Sequence, residues 1–259
     1  MCGRYVLIDG NVIFAASAQL QTWRNQGIEF DILPKYDARP SELMPVVALR
    51  DNHYQVQLMR WGLVPHWSNN GKTAFSTFNA KSETLLASNL FSPYFKSARC
   101  LVPANGFFEW KKFAVQSEAK GKIPSAKQKQ KMFIAMKDGA PFMMAGLFSV
   151  WKNAAGDEFP TYTIITTAAN ELLKNIHDRM PVILEPKDYD VWLNRRMKDT
   201  DFLKTLLVPY PAERMTAFPV TNQSTESPET IEKITFEVPA AHDLAKITKP
   251  VASKRLRGA

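Results

Sequence analysis

The first residues of the chain carry the most reactive pair of groups in the sequence. Met1-Cys2-Gly3-Arg4 places a cysteine directly after the initiator methionine. Removal of Met1 leaves an α-amine, with a reference pKa near 7.7–8.0, beside a thiol with a pKa of about 8.5, so both nucleophiles are accessible near neutral pH. Such a pair reacts with an aldehyde: the amine forms a Schiff base, and the sulfur then closes a five-membered thiazolidine ring. An idle terminal cysteine explains the tetrapeptide equally well.

Three further polar segments, far apart in the chain, interrupt apolar surroundings. Asn79 and Lys81 stand at the start of a predicted helix, and Glu109 lies between aromatic residues of a predicted strand. His177 and Arg179 follow a predicted helix and precede a proline. A carboxylate and an imidazole are suitable acid–base groups for imine formation, which removes water and moves protons. Ordinary structural alternatives are a helix cap for Asn79, a paired strand carboxylate for Glu109 and a helix C-terminal histidine for His177.

Together with the N-terminal tetrapeptide and Arg60-Trp61-Gly62-Leu63-Val64-Pro65, these segments resemble the SRAP family, the abasic-site processing proteins. The resemblance runs from Cys2 to about Thr235, with the segments in the family's order. It implies an enzyme that captures the ring-opened aldehyde of abasic sites in single-stranded DNA as a thiazolidine crosslink, after Met1 has been removed. Lyase activity and autoproteolytic peptidase activity are further reactions that the resemblance raises.

The resemblance also implies a catalytic role for four residues. Cys2 is the expected nucleophile, and Asn79 is expected to orient the sugar and the Cys2 terminus. Glu109 is expected to assist proton transfer to and from the amine and the sugar. His177 is expected to act on the sugar hydroxyl and in reversing the link.

Five other residues are expected to contact DNA: Arg4, Lys81, Arg179, Pro40 and Trp67. Guanidinium groups fork onto phosphate oxygens, whereas Lys81 stands where the family usually has arginine and offers only a point charge. Pro40 and Trp67 are expected to stack on or wedge between unpaired bases. Core packing explains Trp67 equally well, and structural ion pairs are the alternative for Arg4 and Arg179.

Positive charge is concentrated in two segments of this 259-residue chain, which has a formal net charge of +8. Residues 111–137 have a net charge of +7 and residues 236–259 a net charge of +3, so the remaining residues carry −2. Solvated lysines in a basic, mobile loop over 111–131 are the simplest explanation, and the charge permits a nucleic-acid partner without requiring one. We predict one catalytic domain over 1–235, followed by a basic, flexible tail over 236–259.

The apolar pattern predicts many short strands and few helices. Because strands follow strands, an α+β fold with an antiparallel or mixed sheet is favoured, and the resemblance implies that the sheet curls into a pseudo-barrel with peripheral helices. Asp51-Asn52 is typical of a hairpin turn. The predicted strands are 5–8, 45–49, 54–61, 98–103, 106–112, 132–136, 142–150 and 162–167, and the predicted helices are 11–23, 82–89, 168–176 and 187–193.

Cysteine and histidine usage excludes several classes of protein. Cys2 and Cys100 cannot form a disulfide framework, and the four histidines show no metal-ligand spacing, so we expect no metal and no cofactor. Cys100 is expected to be a buried core thiol. No apolar run approaches the roughly 20 residues that span a bilayer. We therefore expect a cytoplasmic protein, associated with the nucleoid when it acts on DNA, that is monomeric and does not bind membranes.

Two alternative functions remain open at the level of sequence. The first is an N-terminal-nucleophile amidohydrolase or peptidase that uses Cys2, because glutamine amidotransferases also begin Met-Cys-Gly; release of ammonia from glutamine distinguishes it. The second is a non-covalent single-stranded DNA binder in which Cys2 is idle. Salt-sensitive binding without a denaturant-stable product distinguishes that case.

Overall fold

Strands dominate the computed structural model of the chain, which describes residues 2–8, 33–50, 53–73, 76–114, 127–223 and 225–235. The strands in these ranges are β1 (Tyr5–Leu7), β2 (Lys35–Ala38), β3 (Leu43–Arg50), β4 (His53–Trp61), β5 (Asn79–Lys81), β6 (Arg99–Ala104), β7 (Gly106–Ala114), β8 (Lys127–Met136), β9 (Phe142–Lys152), β10 (Glu158–Ala168), β11 (Arg179–Pro181), β12 (Ile183–Leu184) and β13 (Met215–Pro219). The predicted α+β, strand-rich fold is confirmed.

Helices are short and peripheral in the described ranges. The α-helices are α1 (Ser92–Ser97), α2 (Tyr189–Leu193) and α3 (Thr200–Thr205), and 3-10 helices cover Ser82–Thr84, Pro186–Asp188, Ala212–Arg214 and Pro228–Ile231. None of the described helices is long and apolar enough to cross a membrane.

Five strands of the larger sheet close into a ring. β10, β4, β3, β6 and β9 follow one another as hydrogen-bonded neighbours, and β9 pairs again with β10. The β9–β10 and β3–β4 pairs are antiparallel, whereas β10 lies parallel to β4. β5 and β11 also pair with β10, and β12 pairs with β9. This mixed, closed arrangement confirms the expected pseudo-barrel.

The barrel is filled by aromatic and aliphatic side chains. Trp61 is fully buried, stacks on Tyr162 at a centroid distance of 6.2 Å and meets Tyr5 edge-on at 5.2 Å. Cys100 is fully buried, as expected. Strand β9 comes closest to its neighbours at Gly146, where an added Cβ would lie 2.9 Å from both the Cys100 sulfur and the Thr163 carbonyl oxygen. A side chain at this position would therefore push apart the strands that close the barrel.

A second sheet of five strands has the order β13-β8-β7-β1-β2. Tyr5 in β1 lies opposite Phe107 in β7 and opposite Ala38 in β2. Because side chains alternate along a strand, Phe107 packs in the main core while Phe108 packs on the other face, in a smaller cluster with Phe133. Pairing of β1 with β7 brings the N-terminal residues beside the segment that contains Glu109.

Strands were predicted more accurately than helices. All eight predicted strands are present, with ends that differ by a few residues. The predicted helix over 187–193 is present as a 3-10 turn followed by α2. Of the predicted helix over 82–89, only the 3-10 helix Ser82–Thr84 is present, and the prediction over 168–176 is wrong. The latter segment is a series of turns in which the Leu173 N–H is shared between the side-chain and backbone oxygens of Asn170. The predicted helix 11–23 and the hairpin turn at 51–52 lie outside the described residues.

Both ends of the basic loop expected over 111–131 are strand instead. β7 continues to Ala114 and β8 starts at Lys127, and the two pair in register over this length. Gln130 and Lys131 are buried in the sheet. The alternation of lysine and glutamine gives no apolar period, so this strand is formed by pairing with β7 and not by a pattern visible in the sequence. Residues 115–126 and the expected tail, 236–259, lie outside the described ranges.

Candidate active site

Cys2 is fully buried just before β1. Its carbonyl oxygen accepts a 2.7 Å hydrogen bond from Nδ2 of Asn79. Asn79 begins β5, which β10 holds in parallel register with Ile164 opposite Asn79. Oδ1 of Asn79 is buried without a hydrogen-bond partner in the described part of the chain. The amide thus fixes the backbone of Cys2 and keeps a buried acceptor beside it.

Glu109 is a buried carboxyl in β7, with an exposed fraction of 2%. Burial raises its pKa to about 7, and the negative charge of Asp178 acts in the same direction. A carboxyl with this pKa is present in both protonation states near neutral pH. It can therefore donate a proton in one step and accept one in the next.

His177 faces Glu109 from the turn before β11. Its Nε2 lies 3.9 Å from Oε2 of Glu109, and its Nδ1 accepts a 3.0 Å hydrogen bond from the backbone N–H of Arg179. Burial lowers the pKa of His177, and the charge of Lys112 lowers it further. Nδ1 also lies 2.8 Å from Oδ1 of Asp178, a contact that becomes a hydrogen bond only when Nδ1 carries a proton. The backbone N–H and the lowered pKa together favour a neutral ring with its proton on Nε2, toward Glu109.

The thiol of Cys2 is held in its protonated form. Burial raises its pKa well above the usual range, and the neighbouring Glu109 adds to this effect. A freed α-amine is therefore a better first nucleophile here than the sulfur. The structure brings the four predicted catalytic residues into one cluster, drawn from the chain before β1, from β5, from β7 and from the turn before β11. Among the described residues, no group of three His, Cys, Asp or Glu side chains is placed to hold a metal ion.

The two predicted DNA-binding arginines are both engaged in ion pairs. Arg4 donates to Oδ2 of the buried Asp37 at 2.6 Å, and Arg39 donates to the same oxygen at 2.7 Å. Arg179 forks onto both carboxylate oxygens of Glu83 at 2.6 and 2.9 Å, and this bridge lowers the pKa of Glu83. The structural ion pairs considered as alternatives are thus present, and each guanidinium is also fixed in place near the site.

The other three predicted DNA-binding residues lie at or near the surface. Lys81 is exposed at the end of β5, and Pro40 is half-buried in a turn that lines a cavity of about 200 Å³ with Trp61 and Phe78. Trp67 is 48% exposed and stacks on Tyr94 at 5.8 Å, so core packing does not account for it. Trp67 also lines a groove of about 430 Å³.

Sequence reasoning missed several residues around the site. The hydroxyls of Tyr5 and Tyr162 lie 2.9 Å apart inside the barrel, and burial raises the pKa of both. Asp37, which holds Arg4 and Arg39, was not singled out either. Asp37 could have been noticed in the sequence because it is a carboxylate between the apolar residues Tyr36 and Ala38 of β2. Tyrosines in strands usually pack in the core, so nothing in the sequence was a reason to select Tyr5 and Tyr162.

Comparison with known proteins identifies one family, several named relatives and a solved structure with the same fold. The profile of the SOS response associated peptidase (SRAP) family matches residues 1–226. The abasic site processing protein YoqW of Bacillus subtilis (strain 168) is 35% identical over 236 residues, which cover 90% of this chain and 99% of YoqW. The abasic site processing protein YedK of Escherichia coli (strain K12) is 28% identical over 197 residues, covering 76% of this chain and 81% of YedK. A crystal structure of a protein from Bacteroides thetaiotaomicron shares the fold, with a TM-score of 0.69, 24% identity and coverage of 90% of this chain and 100% of that one.

Proposed function

The chain belongs to the SOS response associated peptidase (SRAP) family, and we propose that it acts on abasic sites in single-stranded DNA. The proposed reaction is covalent capture of the abasic site on Cys2. Relatives named abasic site processing proteins support the class of substrate. The observation that carries the chemistry is the buried cluster in which Asn79 holds the Cys2 backbone at 2.7 Å, beside a carboxyl with a pKa of about 7.

The first step is imine formation. After Met1 has been removed, the α-amine of Cys2 attacks the aldehyde carbon of the ring-opened deoxyribose and forms a C–N bond. Glu109 in its acid form protonates the hydroxyl of this adduct, which leaves as water. The products are the protonated Schiff base, which keeps one proton of the amine on its nitrogen, and an ionised Glu109. A buried carboxyl that is protonated near neutral pH suits this role, since an ordinary glutamate would already be ionised.

The second step closes the ring. The Cys2 thiol gives its proton to Glu109, now in its base form, and the sulfur adds to the carbon of the protonated imine. This step returns Glu109 to its acid form. The thiol is protonated in the site because burial raises its pKa, so the base is needed at this point. The product is a thiazolidine, and no proton or electron is gained or lost in the step.

His177 and Asn79 are the supporting groups in this proposal. The neutral His177 ring, with its proton on Nε2, donates toward the sugar hydroxyl that ring opening exposes, and it assists the reverse reaction. Asn79 orients the Cys2 terminus through its amide and offers its buried Oδ1 to the sugar. Arg4, Lys81 and Arg179 would contact the DNA backbone.

The same proposal includes release of Met1 by the protein itself, because Glu109 lies beside the Cys2 backbone and can serve as the acid–base group of a peptidase. It places the protein in the cytoplasm, at the DNA, as a monomer, with Pro40 and Trp67 against unpaired bases. The terminal mass of a Glu109→Gln variant tests the peptidase part: a retained Met1 is expected, and complete removal of Met1 would show that another enzyme does this work.

The crosslink itself is tested with a single-stranded oligonucleotide that bears one abasic site. The wild-type protein should give a complex that survives heat and SDS, and Cys2→Ala should abolish it. Cys100→Ala is the matched control, because it removes the other buried thiol and should retain the complex. A wild-type complex that separates in SDS would favour the non-covalent binder instead.

A further inference from the structure

One face of the β7–β8 hairpin carries a row of three lysines and a tryptophan. Trp110 lies directly opposite Lys131, and Lys112 directly opposite Lys129. Because side chains alternate along each strand, these four residues point to the same face of the sheet, opposite to the face of Glu109. The row begins beside Arg4, whose guanidinium lies over the Trp110 ring at 5.5 Å. The hairpin thus extends a basic surface away from the N-terminal cysteine.

The outer pair of this row is a cross-strand contact between like charges. Lys112 and Lys129 are both exposed, and in the described part of the chain no carboxylate pairs with either of them. Like charges directly opposite each other destabilise a sheet. A protein keeps such a pair at some cost to its stability, and binding of an anion across the two ammonium groups removes that cost.

The inner part of the row is equally rich in positive charge. Lys131 is fully buried, its Nζ lies 4.1 Å from the centroid of the Phe108 ring, and Nζ has no hydrogen-bond partner among the described residues. Asp37 is the carboxylate whose charge acts on Lys131, but its Oδ2 already accepts from Arg4 and Arg39. Asp37 is therefore the carboxylate that faces three basic side chains, of which Lys131 is buried and Arg4 and Arg39 are partly exposed.

We propose that a basic face of the protein binds the phosphodiester backbone of the DNA strand beyond the abasic nucleotide. This basic face consists of Arg39, Lys112 and Lys129, with Arg4, Asp37 and Lys131 beneath them. The inference rests on the proposed function, because it extends the site of that reaction. Arg4, two residues from Cys2, connects this face to the candidate active site, which lies on the other side of the sheet, and the charge of Lys112 also lowers the pKa of His177.

The chemistry of the face favours phosphates over bases as the ligand. Lys112 and Lys129 are compact point charges, which attract phosphates without reading sequence. Trp110, the aromatic residue in the row, is half-buried beneath Arg4 and does not offer an open ring for stacking. The strand would therefore be held here by counterion release, and independently of its sequence.

Salt dependence of binding tests this inference. Affinity for an undamaged single-stranded oligonucleotide of about 16 nucleotides is measured by fluorescence anisotropy over a range of salt concentrations, for the wild-type protein and for Lys112→Gln/Lys129→Gln. The double variant should lose about 1.4 from the slope of log K against log salt, and about tenfold in affinity near 0.1 M salt. Lys187→Gln/Lys204→Gln is the matched control, because both lysines are exposed on other elements. Its slope should equal that of the wild type.

Equal slopes for the two double variants would overturn the inference. Thermal unfolding guards against misfolding: loss of a like-charge pair should leave the Tm unchanged or raise it. Failure of the proposed function has a different signature, since the wild type would then form no SDS-stable product whatever the slopes.

Discussion

Glu109 responds to pH in a direction that burial dictates. Its pKa of about 7 in the folded protein is higher than the value near 4.3 of an exposed glutamate. The folded protein therefore holds this proton in a range of pH where the unfolded chain has lost it. The resulting contribution to the free energy of unfolding is fully present below about pH 4 and is lost as the pH rises to about 7.

We predict that Glu109→Gln removes this pH dependence. Relative to the variant, the free energy of unfolding of the wild type should fall by up to roughly 1.4 kcal/mol per pH unit between about pH 5 and pH 7, and stay level above that. The lowered pKa of His177 makes the free energy of unfolding rise with pH instead. Because both proteins contain His177, this contribution largely cancels in the difference between them. Urea unfolding of both proteins across this range measures the difference, and two parallel curves would contradict the assignment.

At the residue scale, the sequence predicted the reactive groups better than their partners. Cys2, Asn79, Glu109 and His177 were selected for their chemistry and for a family resemblance, and the fold brings them together. The pairing of Arg179 with Glu83 was not predictable, because the two are 96 residues apart and each resembles an ordinary surface charge. Contacts of this kind depend on the register of β5 and β10, which no local pattern reveals.

At the scale of elements, the segment that carries Trp67 is fixed by a strand on the barrel. Nε1 of Trp151 in β9 donates a 2.6 Å hydrogen bond to the Ser68 carbonyl, and its ring lies where a Cβ on Gly71 would come within 2.9 Å. Gly71 also has a φ of +67°, which favours glycine. Trp151 is therefore a positioning residue for Trp67.

We predict that Trp151→Phe weakens binding of single-stranded DNA several-fold. The variant keeps an aromatic ring against Gly71 but loses the hydrogen bond that fixes Ser68, at a cost in stability of about 1 kcal/mol. Anisotropy with an undamaged oligonucleotide measures the affinity, and Phe202→Leu, which changes an exposed aromatic residue of α3, is the control. Unchanged affinity together with a lower Tm would show that Trp151 has only a structural role.

A buried arginine fastens two of the short helices to the barrel. Arg99 in β6 is 2% exposed, and its guanidinium donates to backbone carbonyls at the end of α2, at Asn194 and at Phe95 in α1. We predict that Arg99→Met lowers the free energy of unfolding by about 3 kcal/mol, because several buried carbonyls lose their donor. Urea unfolding measures this loss. Arg195→Met is the control, because Arg195 is exposed and its replacement should change the free energy of unfolding much less. A loss below about 1 kcal/mol would mean that water replaces the guanidinium.

These helices also show where sequence-based prediction of elements fails. α1 and α3 have six residues each, too short for a helical period to be recognised, and they are held by contacts such as that of Arg99. The strands were predictable because their apolar runs are bounded by turn residues. The basic half of β8 was missed because it has no apolar period, although it forms one side of the face proposed to bind DNA.

At the scale of the whole molecule, a closed barrel and a five-stranded sheet meet at the N-terminus. Tyr5 takes part in both: its backbone pairs in the sheet, and its side chain packs in the barrel against Trp61. Residues near an N-terminus are ordinarily the least fixed part of a chain, but Cys2 and the three residues of β1 are fully buried here. A reaction that uses the N-terminal cysteine needs such an anchor.

We propose residues 1–235 as the complete catalytic domain, and this predicts that a protein ending at Thr235 keeps its activity. Its Tm should lie within about 2–4 °C of that of the full chain, the shift that 1 kcal/mol produces in a domain of this size. It should also form the SDS-stable product at the same rate with saturating oligonucleotide. A large fall in Tm, or loss of the product, would mean that residues 236–259 belong to the domain.

The most direct test of the central claim is mass spectrometry of the N-terminal peptide from the purified crosslink, after nuclease digestion. Thiazolidine formation on Cys2 predicts a peptide that lacks Met1 and carries the sugar remnant on Cys2 at the mass of the aldehyde less one water. This peptide should resist thiol alkylation because the sulfur is within the ring. A remnant attached to a lysine, or a modified peptide whose Cys2 is still alkylated, would contradict it.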